Sequence, residues 1–484
     1  MALNNFFFLL IFAVILCGYW LLGLLFQKKA CRKDVMTIYL LLCSYAIVAI
    51  SDIRFLLCVV AITVIAYITP IAYSRNALGI TKGWIYIGVV CNLVFLGVFK
   101  YFNFFYGEIS ALLGRESVAL KIILPIGISF YTFSAISYIV DVSKNKIEEN
   151  TSFCEVALYI AFFPKLMSGP IVRAKTFFEQ LSYIGNQPLK DLEVGIQIFV
   201  YGCFKKMVLA DHIGVFVDQV YHAPSVYHTL TVILATIAYS LQIYFDFAGY
   251  SDMAIGISKI VGFDFDWNFN FPYLSKNLTE FWKRWHISLS SWLQEYLYYS
   301  LGGNRKGKAR TYVNLILTMV IGGLWHGAAW TFIVWGALHG VALMVHKLFM
   351  NWKLKKYGDK FYTTKVWNVL SVVFTFLYAN FCWIWFRGGS FKNAMDIIKQ
   401  MVIFHDGIIQ PYTWVMFGVI ILLITTFIMW KKRQCSIKMP TDMRERYILF
   451  DLNTVRGLFA FFVICGLTVG MAYYGNTIFI YGAF

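Results

Sequence analysis

Charge is what this sequence has least of. Of 484 residues only 14% are charged, and acidic residues are the scarcer kind, 25 against 42 Lys and Arg. A soluble domain carries about 25% charged and about 45–50% apolar residues. Here 60% are hydrophobic, 19% are aromatic and the mean hydropathy is +0.66, which excludes a soluble fold. The formal net charge of +17 does not point to nucleic acid, because no basic soluble domain exists to carry it. The basic residues instead cluster in short loops between apolar runs, as the positive-inside rule requires.

Other absences narrow the chemistry. The ten cysteines form no C-x-x-C pair and mostly lie in apolar runs, so neither disulfides nor a metal site is expected. There is no H-E-x-x-H, no G-x-S-x-G and no strand-borne G-x-G-x-x-G, which disfavours zinc proteases, elbow-type serine hydrolases and nicotinamide enzymes. Gly302-x4-Gly307-Lys308 mimics a phosphate loop, but Ala309 stands where Ser or Thr would hold magnesium. The first apolar run precedes its basic residues and closes with no A-x-A site, so it reads as a retained helix with its N-terminus outside. No internal repeat of paired broken helices is visible, which weighs against a transporter or flippase.

What is present is a series of runs long enough for transmembrane helices, which need about 20 apolar residues. They are 5–26, 36–50, 54–74, 84–106, 118–140, 191–210, 228–248, 312–325 with 328–349 as a bent pair, 364–386, 411–430 and 456–480. This predicts an all-α polytopic protein with about eleven crossings, organised as one membrane domain over 1–484 with its core at about 150–350. Loop charges place 27–34, 75–83, 141–190, 263–311, 353–360 and 431–438 in the cytoplasm. The acidic segment 211–222, the loop 387–410 and both termini fall outside. Two regions resist simple crossing. Residues 153–173 are broken by Pro164, Gly169 and Pro170 and read as a re-entrant half-helix; 251–263 is too short to span. Together they suggest a funnel open to the cytoplasm.

The chain's chemistry concentrates between Asn277 and Gly340. His326 lies inside an apolar run, between Trp325 and Gly327, where an ionisable group is expensive and usually functional. An imidazole suits a general base near neutral pH. On a helical wheel Phe281, Trp285, Leu289, Trp292 and Tyr296 form one stripe of an interfacial helix, with Lys283, Arg284, Ser291 and Glu295 opposite and His286 at the edge. Asp246, Asp252 and the pair Lys205–Lys206 lie in or beside apolar runs, where pairing with one another is the expected role. His339 and His346 are not set apart from structural residues by spacing. The basic loop 301–310, with Asn304, suits the phosphates of a diffusing donor or anionic lipid.

Five blocks carry a resemblance: FFPKLMSGPIVR (162–173), FKKMVLAD (204–211), QIYFDFAGYSDMAIGISKIVGFDFDWNFNFPY (242–273), EFWKRWHISLSSWLQEYLYYSLGGNRKGKARTYVNL (280–315) and GGLWHGAAWTFIVWGALHG (322–340). On these the chain resembles the membrane-bound O-acyltransferases, in the branch that O-acetylates alginate and related polysaccharides. The resemblance implies a ring of helices, with re-entrant and interfacial helices, around a funnel narrowing to a tunnel. It aligns His326 with the family's catalytic histidine and His286 with the second one. It also implies an acyl-thioester donor from the cytoplasm, acetyl-CoA or an acyl carrier, with no bound cofactor. The acyl group would pass to an extracytoplasmic partner of the SGNH type and on to a polysaccharide, in a bacterial cytoplasmic membrane. His326 is then the expected base, with Trp325 Nε1 or a glycine N–H donating to the oxyanion. Asp246, Asp252, Arg284, Trp285, Asn304 and Lys205 are candidate donor-binding residues. D-alanyl transfer to teichoic acid from a carrier protein is the rival within the same fold.

Overall fold

The structure is a computed structural model that describes residues 3–75, 81–116, 120–147, 151–185, 189–358, 364–431, 450–475 and 480. Most of the basic loops 75–83 and 431–438 lies outside the described residues, as does most of the last stretch beyond residue 475. Among the described residues the protein is helical, and the only β-pairing is a single bridge between Tyr227 and Ile408. In hydrocarbon every backbone N–H and C=O must be satisfied within the segment, and helices do this locally.

The helices are α1 (Phe6–Leu25), α2 (Arg32–Ser51), α3 (Ile53–Ser74), α4 (Thr81–Leu112), α5 (Ile128–Ser143), α6 (Phe153–Ala161), α7 (Phe163–Leu166), α8 (Ala174–Leu181), α9 (Leu189–Cys203) and α10 (Asp211–His222). They continue with α11 (Thr229–Ile260), α12 (Leu278–Arg284), α13 (Ile287–Trp292), α14 (Lys308–His326), α15 (Trp330–Tyr357), α16 (Lys365–Arg387), α17 (Phe391–Val402), α18 (Thr413–Lys431) and α19 (Val455–Gly470). Seven of these, α1 to α4, α11, α15 and α16, are long and apolar enough to cross a membrane, and three shorter apolar helices lie at α5, α18 and α19. Of the remaining expected crossings, 191–210 became α9 followed by a π-helical stretch Phe204–Ala210, and 312–325 became α14; α9 and α14 fall outside both sets.

The chain forms two compact units, Met1–Tyr201 with Tyr250–Asp266, and Gly202–Gly249 with Trp267–Phe484. In the first, α3 packs on α4 and α5, and α2 on α6. The expected crossing at 118–140 begins only at Ile128, because Gly127 is left-handed (φ 72°). A Cβ there would stand 2.2 Å from Leu166 O, so the chain enters α5 pressed against the end of α7. The stretch 153–173 is interrupted as expected. A Ser152/Glu155 capping box opens α6, the helix stops after nine residues at Phe162, and α7 adds one turn. Phe162, Phe177 and Phe263 stack around this break with ring centroids 4.6–5.4 Å apart. Lys165 lies buried beside them, its Nζ donating to Ser134 Oγ at 3.2 Å and sitting 4.1 Å from the Tyr159 ring centre.

In the second unit α14 and α15 form a tight hairpin through Gly327–Ala329. Their backbones touch through glycine: a Cβ on Gly323 would meet Phe332 O at 2.2 Å, and one on Gly336 would meet Met319 O at 2.4 Å. Small residues at such contacts let helices approach closely where no hydrophobic force drives them together. The bend expected between 325 and 328 is therefore real.

Three expectations are corrected. Residues 251–260 are no separate short element but the last third of α11, which runs unbroken for 32 residues. The segment 211–222, read as a loop, is a helix with Ile213, Phe216, Val217 and Val220 buried. The interfacial helix through 281–296 is three pieces: a left-handed His286 (φ 42°, ψ 56°) separates α12 from α13, which continues into a π-helical stretch Leu293–Tyr298.

Candidate active site

The break at His286 places that side chain. Asn277 caps α12 by accepting the Glu280 N–H at 2.8 Å, and α12 runs only to Arg284. The residues after it turn back on the loop at 268–270, with Asn270 N–H donating to Arg284 O (2.8 Å) and Ile287 N–H to Asn268 O (2.9 Å). The His286 ring is fully buried, 4.6 Å from Phe247. Its Nδ1 lies 3.2 Å from Asn268 Oδ1, which also accepts the Ser288 N–H (3.1 Å) and hydroxyl (2.7 Å). An oxygen that accepts all three assigns the proton to Nδ1, so Nε2 carries the ring's lone pair. Burial holds the imidazole down to about 3, so it stays neutral. The expected place at the edge of an interfacial helix is thus overturned: His286 is an interior group held by a side-chain network.

His326 is the last residue of α14 and is buried at the turn into α15. Three rings surround it: Trp325 at 4.9 Å, Trp335 at 5.1 Å and Phe386 at 5.1 Å between centroids. Trp325 also lies 6.4 Å from the His286 ring. The two histidines, 40 residues apart in sequence, therefore share one tryptophan. A neutral imidazole in a water-poor aromatic setting can take a proton from a hydroxyl placed beside it, and nearby N–H groups can stabilise developing charge.

The other candidates scatter. Trp285 packs in the core, 5.6 Å from Phe281 and 4.9 Å from Trp383. Arg284 is buried, not on a polar face as the helical wheel had it; its Nε donates to Glu280 Oε1 (2.9 Å) and Nη1 to Asn270 O (3.1 Å), fastening α12 to the loop. Asn304 accepts from Tyr298 OH at 2.5 Å and Lys347 Nζ at 3.0 Å. Asp246 is paired: Lys206 Nζ lies 2.7 Å from its Oδ1 and 2.5 Å from Asp211 Oδ1, all three side chains buried. Lys206, not the half-buried Lys205, is the partner. Asp252 is buried on α11 but belongs to the first unit. Among the described residues no three His, Cys, Asp or Glu side chains gather as a metal site would require. Sequence reasoning missed Asn268 and Trp335. Asn268 had a signal, one of two amides set among aromatics in DFDWNFNF; Trp335 had none beyond its helical spacing.

The fold and this interior define a multi-pass integral membrane protein with a buried histidine pair. The model of the membrane-bound O-acyltransferase family matches residues 135–386, and the chain belongs to that family: it is an O-acyltransferase. Among its relatives is a probable alginate O-acetylase of Azotobacter vinelandii, 40% identical over 393 residues, covering 80% of this chain and 76% of the relative. A peptidoglycan O-acetyltransferase of Helicobacter pylori is 35% identical over 412 residues, with 80% and 76% covered. A teichoic acid D-alanyltransferase of Bacillus subtilis is 31% identical over 280 residues, with 55% and 70% covered. Family membership sets aside the transporter reading.

Proposed function

We propose that this protein O-acetylates a cell-envelope polysaccharide, moving an acetyl group from a cytoplasmic thioester across a bacterial cytoplasmic membrane. The buried His326–Trp325–His286 arrangement carries the reading. Acetyl is favoured over D-alanyl because the two O-acetylating relatives above match 80% of the chain and the D-alanyltransferase 55%. Acetyl-CoA is the donor and an extracytoplasmic protein the immediate acceptor, with both termini outside. His326 removes the proton from the acceptor hydroxyl, whose oxygen adds to the thioester carbonyl carbon. The tetrahedral oxyanion collapses, the C–S bond breaks, and the thiolate leaves with the proton that His326 returns. His286, neutral and fixed by Asn268, accepts a hydrogen bond through Nε2 and orients a reactant.

The test is acetyl release from radiolabelled acetyl-CoA by purified protein in nanodiscs. Wild type should turn over and His326→Ala should lose the activity while folding normally. Equal activity in the two proteins would sink the reading. A wild type inert to acetyl-CoA but active with an acylated carrier protein would move the donor to the D-alanyl type.

A further inference from the structure

One face of α15 carries Thr331, Trp335 and His339, four residues apart and so on successive turns of the helix. All three are buried, at 2%, 1% and 0% exposure. Each ends in a polar atom that finds no hydrogen-bond partner among the described residues: Thr331 Oγ1, Trp335 Nε1 and His339 Nε2. A buried polar group left unmet is rare, so three in one line demand a reason. They are alike in kind. The indole nitrogen only donates. Trp282 Nε1 donates to His339 Nδ1 at 3.3 Å, which leaves the ring's proton on Nε2 and makes that atom a hydrogen-bond donor too. The threonine hydroxyl can donate. The row therefore lacks acceptors, and the ligand that completes it must bring oxygens.

Its middle member stands at the proposed chemistry. The Trp335 ring is 5.1 Å from His326 with the planes at 88°, and 5.0 Å from His339. From Thr331 to His339 the helix rises roughly 12 Å, enough to run beside an extended chain carrying several carbonyl groups. The close glycine contact of α14 with α15 fixes this face against the end of α14, so the indole N–H is held in place before any substrate arrives.

We infer that the Thr331–Trp335–His339 face of α15 is a binding rail for the oxygens of the acyl thioester, and that the Trp335 N–H meets the carbonyl oxygen as it becomes an oxyanion. This rests on the acyl-transfer reading above. When the acceptor oxygen adds to the carbonyl carbon, the carbonyl π pair moves onto that oxygen, and the indole N–H holds it until the C–S bond breaks. Trp335, not Trp325, is the indole with this role.

The test replaces Trp335 with 3-benzothienylalanine, which keeps the bicyclic shape and lacks the N–H; Trp335→Phe is the genetic fallback. In nanodiscs with acetyl-CoA, kcat should fall on the order of 10²-fold, with KM within a few-fold and thermal stability unchanged. An unchanged kcat, with or without a lower melting temperature, would show that the N–H meets only a water or a structural partner, and overturns the rail. The His326→Ala control separates the two claims. If it is inert while the Trp335 variants turn over normally, only this inference falls; if it is active, the acyl-transfer reading itself falls.

Discussion

Each unit buries a lysine, and the two are treated in opposite ways. In the second unit Lys206 sits between Asp211 and Asp246 at 2.5 and 2.7 Å, and Asp246 also accepts the Ile480 N–H at 2.8 Å. In the first unit Lys165 has no carboxylate partner among the described residues; it meets the Ser134 hydroxyl and the rings of Tyr159 and Phe177. Burying an ammonium is expensive unless it is paired, or lies over an aromatic face that replaces part of its hydration. Lys206 is therefore a junction whose loss removes the cation between two carboxylates. Lys165 is a local tie between α5 and α7, close to what an apolar side chain of its length would provide. Burial alone does not tell which charge the fold depends on; the partners do.

The largest expected effect breaks that contrast at the paired site. Lys206→Met should destabilise the protein by about 3–5 kcal/mol, because Asp211 and Asp246 then lose the cation they share. Unfolding in detergent would measure it, and Asp246→Asn in the same background should recover part of the loss. A loss under about 1 kcal/mol would mean the triad is not the junction described here.

A second test sharpens the comparison with a group that stays neutral by burial. His286 is held at about 3 against an ordinary 6.5. The unfolded chain takes up a proton below about 6.5 that the folded one refuses until near 3, so this stability is complete above 6.5 and is lost as pH falls through that window. The limiting slope is about 1.4 kcal/mol per pH unit. In His286→Gln the acid slope of the melting temperature between pH 6 and 4 should be shallower than in wild type. An identical slope would place His286 in contact with water.

The smallest effect is expected at Lys165. Lys165→Met should change stability by less than about 1 kcal/mol, since one hydrogen bond and two cation–π contacts, the one to Phe177 a long one, are exchanged for apolar packing. A loss as large as that of Lys206→Met would reveal an anionic partner and erase the contrast.

Much of the architecture was readable in the chain, and the errors are instructive. The hairpin at 326–330 was legible because Gly327 interrupts an otherwise continuous apolar run. The continuity of α11 was not, because Asp246 and Asp252 look like charges that should end a membrane helix. At Asp246, pairing with Lys206 from 40 residues upstream lets the helix carry the charge inside. The helical wheel through 278–298 found the buried stripe: Phe281, Trp285 and Leu289 are each 1% exposed. It misplaced His286, since no pattern of polarity signals a single left-handed residue. Arg284 misled for the same reason. Its polar look on the wheel hid a buried guanidinium bonded to Glu280 and Asn270.

By itself the sequence determined that the chain lives in a membrane, where most of its helices lie, and which histidine ends α14. Hydropathy and backbone hydrogen bonding act over one segment at a time, so each can be read in place. Only the tertiary structure decided that Lys206 and not Lys205 pairs with Asp246, that Asn268 fixes the His286 tautomer, and that Trp325 joins the two histidines. Polar groups removed from water must find partners wherever packing brings them, and those partners lie 40, 18 and 39 residues away in the chain.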